Sequence, residues 1–353
     1  MANSFKTLQG EDTATTRTLL HEAIPITGTI VSGTYVDDAN IKTFSHGMYE
    51  AVYDYPYLSS SANHIFDVTA GYSADWFGSS SANTQNAKKI NIYNQMAQVL
   101  VGYDTGSQIQ EFDADGSTST STDKMQACIF VNFARLLVKD EIKKNSFRLS
   151  LATSASALHG DANRGILKTI GDYGAQTDYL TNSPAGEYGL LYTSSDGDAG
   201  EMIAGHVYYQ AGIAVITSSF FSGAFGQLSA SAGYYVGKDG ISNALTGTTI
   251  SEIANGFRFT VDDISFNNTT ELNSTIYFCR ANNTEFNYSA NPTYLSSSEI
   301  RVKGQNPAAD PVSYITTVGL YSPDNELLAV AKLSEPLKKS PSNELTLRVR
   351  LDY

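Results

Sequence analysis

The sequence predicts a predominantly β, α+β protein with antiparallel, sandwich-like sheets and one or two helices. Three observations carry that expectation. Near the end, Leu345, Leu347, Val349 and Leu351 alternate with Thr346, Arg348, Arg350 and Asp352. That period of two gives a strand one apolar and one wet face. Short runs of β-branched and aromatic residues, bounded by Gly, Pro, Asn and Asp, recur along the chain. Only one long stretch, residues 84–101, repeats its apolar residues at spacings of three and four.

In chain order, residues 1–15 are polar and expected to be loose or draped on a neighbour. Residues 16–34 are β-type, with Leu19, Leu20, Ile24, Ile26, Ile30 and Val31, broken at Pro25 and Gly28. The aromatic stretch 44–57, with Phe44, Tyr49, Tyr53, Tyr55 and Tyr57, is compatible with both helical and extended chain. In 84–101, Ile90, Tyr93, Met96, Ala97, Leu100 and Val101 form one stripe. Asn86, Lys89, Asn91, Asn94 and Gln98 are assigned to the opposite face. Residues 79–83 offer capping side chains, and Gly102 offers a left-handed stop.

A Ser/Thr/Asp loop follows at 113–123. Residues 127–133 read as a buried strand and 136–144 as one or two helical turns. Asn145 then turns the chain into 146–152, where Phe147, Leu149 and Leu151 alternate with Ser146, Arg148 and Ser150. Between 153 and 247 Gly, Ala, Ser and Tyr dominate. Strands are expected there at 187–192, 206–209 and 212–218, the last two joined by a hairpin at Gln210, Ala211 and Gly212. Residues 220–235 are small and aromatic without helical period. A single helical turn is expected at 251–256, with Ile250, Ile253, Ala254 and Phe257 on one side, and strands resume at 257–266 and 274–280.

The closing strands are 313–321, 327–333 and 345–351. The first two are joined by the turn Ser322-Pro323-Asp324-Asn325. The last is reached through a loop bracketed by Pro336 and Pro341. It is expected to lay its apolar face on a core, within a sheet of this chain or of a partner. These elements suggest three regions: 1–125, β-rich with helix 84–101; 126–265, Gly/Ser/Tyr-rich and β; and 266–353, antiparallel β. Alternatively, 153–250 is an insertion in one larger sandwich. No fixed-period repeat is found, which argues against a solenoid or propeller.

With 353 residues, 41% hydrophobic and 17% charged, the chain can bury a large core. No apolar run approaches the ~18 residues that span a bilayer. The opening lacks the basic and apolar regions of a signal peptide, so retention in a cytoplasm, or release by lysis or inside a particle, is expected. A formal net charge of −13 argues against wrapping nucleic acid. Lys88-Lys89, Lys143-Lys144 and Lys338-Lys339 are isolated pairs. Cys128 and Cys279 lie far apart and read as two buried, reduced thiols. Asn-X-Ser/Thr triplets at Asn267, Asn268, Asn273, Asn282 and Asn287 read as β-rich composition rather than glycan sites.

Paired carboxylates for glycoside cleavage stay open, because sequence does not give their separation, and an enzyme acting on polysaccharide is a third alternative; the other catalytic patterns find no support. Gly71-Tyr72-Ser73-Ala74-Asp75 lacks the second Gly of a nucleophile elbow. His159-Gly160-Asp161 has no partnered nucleophile. His21, His46, His64 and His206 are scattered without zinc-ligand spacing. Gly233 to Asp239 is one residue short of a phosphate loop and ends on an anion. Glu111, Asp113, Asp115 and Gly116 match places in a calcium loop, but Thr122 stands where a bidentate Glu belongs. No catalytic, cofactor-binding or metal residues are therefore assigned, and no cofactor is expected. Tyrosine is abundant, 22 against 16 Phe and one Trp. Its apolar body and polar tip suit surfaces half covered by partners or sugars.

Several segments resemble virion structural proteins of tailed phages, most nearly T4-like myoviruses of cyanobacteria and other marine bacteria. They are Ile315-Thr316-Thr317-Val318-Gly319-Leu320-Tyr321, the run from Asp324 to Leu333, Pro336-Leu337-Lys338-Lys339 and the final Arg348 to Tyr353. Residues 55–64, 91–96 and 136–144 extend the similarity. The resemblance implies a non-enzymatic virion component in the tail or baseplate, assembled in the host cytoplasm in several copies with other virion proteins. Neck, capsid-decoration and host-surface or glycan-binding roles are the alternatives, and no nucleic-acid or membrane partner is expected.

Overall fold

The computed structural model describes residues 5–26, 38–77, 84–117, 123–152, 167–193, 202–221, 245–287 and 310–353. The protein is predominantly β, with antiparallel ladders and an α+β composition. It divides into two compact units: a central one, Leu20–Thr270, and a terminal one, Met1–Leu19 with Glu271–Tyr353. The division passes within two strands, β1 (Thr13–Pro25) and β13 (Val261–Ala281).

In the central unit, β2 (Ile41–Thr43), β3 (Glu50–Tyr53), β4 (His64–Tyr72) and β5 (Ala127–Phe133) pair in succession. The aromatic stretch around residue 50 is thus extended, not helical. From β5 the ladder continues through β12 (Ile213–Thr217), β11 (Ile203–Tyr208) and β10 (Gly186–Tyr192). It then passes through β8 (Leu167–Gly171) and β7 (Arg148–Ala152) to the start of β13. Two short strands, β6 (Glu141–Ile142) and β9 (Leu180–Ser183), pair with β13 and β10. β11 and β12 form the expected hairpin, with Gly212 at φ +68°. The ladder curls over: Phe133 of β5 meets Phe147 and Phe266 with ring centroids 5.8 and 5.2 Å apart.

Two helices cover this sheet, α1 (Thr84–Leu100) and α2 (Ile250–Thr260). β5 reads as an apolar run interrupted only at Asn132, because both its faces are buried. Its Ala127, Ile129, Val131 and Phe133 join Ile253, Ala254 and Phe257 of α2 in one core. Cys128 and Phe130 join Ile92, Tyr93, Ala97 and Leu100 of α1 in a second. Gly71 lets α1 approach: a Cβ there would lie 2.6 Å from the Lys89 carbonyl oxygen.

Four expectations are corrected. Lys89 of α1 lies on the buried face, completely enclosed, rather than facing water. α2 runs three turns to Thr260, so the strand begins at Val261 rather than 257. A capping box drives this helix: the Thr249 hydroxyl accepts from the Glu252 amide, and Glu252 accepts from the Thr249 amide at 2.7 Å. The segment after residue 135 makes one turn, Arg135–Val138, then leaves through Lys139 at φ +57° into β6. The fourth correction lies in the terminal unit, where β15 (Leu327–Lys339) runs straight through Pro336 instead of ending before it. Its pairing with β14 (Ser313–Tyr321) slips between Ile315 and Thr317, and proline is tolerated at such a bulge.

Also in the terminal unit, β16 (Leu345–Asp352) pairs antiparallel with β13, from Ser274↔Asp352 to Ala281↔Leu345. Gly102 ends α1 with φ +94°, as expected, its amide on the Ala97 carbonyl. The capping residues 79–83 and most of 220–235 lie outside the described residues.

Candidate functional site

The terminal unit differs from the central one in how little apolar surface its described residues enclose. Its strands form from sound local signals, yet the described residues give it no core. Both core clusters draw all their members from the central unit. Among the described residues of the terminal unit, only Ala281, Val312 and Val349 are buried apolar residues. β16 keeps its alternation, but Leu345, Leu347 and Leu351 are half-buried and only Val349 is enclosed. The apolar face is therefore the more covered of the two, but only in part.

The β14–β15 hairpin is the extreme case. It forms a two-stranded sheet of its own among the described residues, and such a hairpin is marginal in water unless something covers a face. Tyr314 is 63% exposed, Leu328 68% and Val330 52%. Its tip is the predicted turn, with Asn325 at φ +64° and its amide on the Ser322 carbonyl at 3.0 Å. Its base is anchored by Lys339, fully buried, which donates to Asn287 Oδ1 at 2.6 Å and the Ser340 carbonyl at 2.9 Å. The hairpin is thus rooted at its base and exposes several large apolar side chains along its length.

Charge is divided unequally. The central unit carries 13 Lys and Arg against 25 Asp and Glu, and the terminal unit 10 against 11. Nearly all of the −13 therefore belongs to the unit that is self-sufficient, and the coreless unit is close to neutral.

The central unit also holds a polar cleft of about 240 Å³, lined in part by Glu111, Asp113, Lys124, Asn182, Tyr188 and His206. Its groups satisfy one another. Lys124 Nζ lies 2.6 Å from Asp113 Oδ2, and Tyr188 donates to Asn182 Oδ1 at 2.7 Å. Burial pushes the Tyr188 hydroxyl up to about 12. Burial also holds His206 neutral, down to about 4, partly opposed by its bond to the Ala114 carbonyl at 3.2 Å. With Nε2 donating, the imidazole pins the loop after residue 111 onto β11. The calcium-like residues are thereby engaged as structure: Asp113 holds Lys124, Asp115 accepts from the Ser117 amide, and Gly116 takes φ +70°.

The other residues singled out in the sequence are kept apart. His21 contacts Thr269, His46 accepts from the Met48 amide, and His64 pairs with Asp67 at 2.8 Å. Ser73 donates to Glu111 instead of standing on an elbow. Cys128 is enclosed as expected, and burial pushes its thiol up; Cys279, expected to be buried, is only half-buried on β13, its thiol also raised by burial. Among the described residues no three His, Cys, Asp or Glu side chains gather as a metal site. No described helix is long and apolar enough to cross a membrane. His159 to Asp161 and Gly233 to Asp239 lie outside the described residues.

Three buried polar devices went unforeseen. Lys89 donates to the Leu245 and Thr248 carbonyls, and burial lowers its ammonium to about 8. Arg258 faces Glu50 at 3.5 Å, both 1% exposed. Asp172 accepts from the Asn145 and Phe147 amides, the Tyr209 hydroxyl and Arg148, while burial raises it to about 6. Only Lys89 had a readable signal, since it stands three and four residues before Ile92 and Tyr93, on their stripe.

No protein-family model, no curated protein and no solved structure matches the chain.

Proposed function

We propose that this chain is a phage virion structural protein, a tail or baseplate component of the wedge type. It acts by binding rather than turnover, in several copies, alongside other virion proteins, in particles assembled in the host cytoplasm. One observation carries the reading: the terminal unit presents well-formed strands whose apolar residues lie outside both cores. Exposed apolar strand faces rimmed by polar residues mark interaction surfaces. Assembly would bury the two-sided hairpin, and the acidic central unit would keep free subunits soluble beforehand. The resemblance of residues 315–321, 324–333 and 348–353 to phage virion segments points the same way. Net negative charge favours protein partners over nucleic acid.

The test is quantitative mass spectrometry of gradient-purified particles. The chain is expected at fixed stoichiometry, a few copies per particle for a tail-end position. A number matching the capsomers would move it to the capsid surface, and absence from particles overturns the proposal. A second reading, a host-surface glycan module, is favoured by Tyr55 and Tyr57, each 36% exposed beside Leu58 at 84%. Blocking of adsorption by the free recombinant protein would support it over the first.

A further inference from the structure

We infer that the open edge of β14 is a self-recognition site, at which two copies of this chain pair their β14 strands antiparallel. The inference rests on the assembly reading above and names its first partner, a second copy. An unpaired strand edge is a template for another strand, and natural proteins usually blunt such edges with charges, prolines or bulges. β14 reads SYITTVGLY: nine residues without a charge or a proline. One of its edges is held by β15, and among the described residues no strand takes the other. The opposite strand of the hairpin is guarded by Lys332, Glu335, Pro336 and Lys338. Protection has been placed on one edge and omitted from the other.

The sequence of β14 also fits itself. Centred on Thr317, an antiparallel copy sets Thr317 against Thr317, Thr316 against Val318, Ile315 against Gly319 and Tyr314 against Leu320. Pairs of β-branched residues, threonines across a dyad and an aromatic beside an aliphatic are the favourable cross-strand combinations. No like charges meet in this register, because the strand has none. Main-chain bonds supply affinity in this mode and the alternating side chains supply register. The contact is isologous, so a two-fold axis closes it. Charge favours this unit for contact between identical copies: it is near neutral, whereas two central units would each bring the excess of acid already counted.

The test uses the full-length chain, with mass in solution measured by light scattering after size exclusion at micromolar concentration. The wild type is expected at twice the chain mass. Thr317 is exposed, so Thr317→Lys and Thr317→Glu leave the fold intact, shown by unchanged circular dichroism. Each variant alone places like charges across the dyad and is expected to run at the mass of one chain. An equimolar mixture of the two is expected to restore the doubled mass. Thr317→Cys is expected to cross-link into dimers under mild oxidation, where the wild-type chain does not. A monomeric wild type, or charge variants that associate as the wild type does, overturns the inference. If particles contain the chain while it is monomeric in solution, edge pairing fails and the structural role stands. If the chain dimerises through Thr317 but is missing from particles, the structural role fails instead.

Discussion

Replacing Gly71 by alanine tests how the central unit is layered. Gly71 sits on β4 beneath α1, and an added Cβ would lie 2.6 Å from the Lys89 carbonyl oxygen and 2.8 Å from the Tyr93 amide nitrogen. Ordinary contact begins near 3.4 Å, so the helix must retreat by roughly 0.8 Å. A gap of that size forfeits about a quarter to a half of the dispersion energy of each contact it opens. The contacts at risk belong to Tyr93, Ala97 and Leu100, all buried. Overpacking of this kind costs about 1–3 kcal/mol, and the upper part applies because the obstacle is helix backbone rather than a flexible side-chain end. Alanine recovers about 0.4–1 kcal/mol by restricting the unfolded chain. The net loss is about 2 kcal/mol, which lowers the melting midpoint by roughly 4–8 °C for a unit of this size. Thermal melting followed by circular dichroism reads it, with Gly10→Ala as the control, since nothing lies within 4 Å of a Cβ there. A Gly71→Ala midpoint equal to or above the wild type would refute the close approach of α1 to β4.

Three further outcomes are expected. His206 has a folded-state value of about 4 against about 6.5 unfolded, so the unfolded chain takes up its proton first and stability falls as pH drops from 6.5 through 4. The contribution is about 3 kcal/mol at most, and Asp172, raised to about 6, acts in the opposite direction; the urea midpoint of wild type minus His206→Gln across that range isolates the histidine. Glu50→Ala leaves Arg258 without its buried carboxylate and is expected to cost about 3–5 kcal/mol, with the double variant Glu50→Ala, Arg258→Ala costing less than the two singles together in denaturant titration. Lys89→Met keeps most of the buried stem but removes two hydrogen bonds to carbonyls, so slower-exchanging amides around residues 245–250 are expected to lose protection in hydrogen exchange.

Periodicity made part of this fold legible. β5, β7, β14 and β16 stand where alternation or a run of apolar and β-branched residues places them, and α1 ends at the glycine expected to stop it. Elements defined by other physics were missed. Residues 257–260 alternate well enough to pass for strand, but the capping box eight residues earlier commits the segment to helix. β8 and β9 carry too few large apolar residues to stand out, and only pairing with β7 and β10 defines them. Pro336 looked like a boundary because proline cannot donate to a ladder, yet a register slip absorbs it. Lys89 was assigned to water by its charge, although its position in the stripe placed it inside. For the candidate site, alternation in β16 shows which face is apolar but not what covers it. Among the described residues both apolar clusters belong to the central unit, and that division depends on contacts between distant segments that no single strand's pattern carries.

The asymmetric armour of the β14–β15 hairpin governs how far association can proceed. A ribbon with two bare margins would accept newcomers at both, and growth would continue into fibres. Here one margin bears lysines, a glutamate and a proline, so a strand added at the other leaves only armoured margins outward. Stickiness is thereby spent in a single event, and a polypeptide with this much apolar strand on display can still yield a finite object rather than a precipitate.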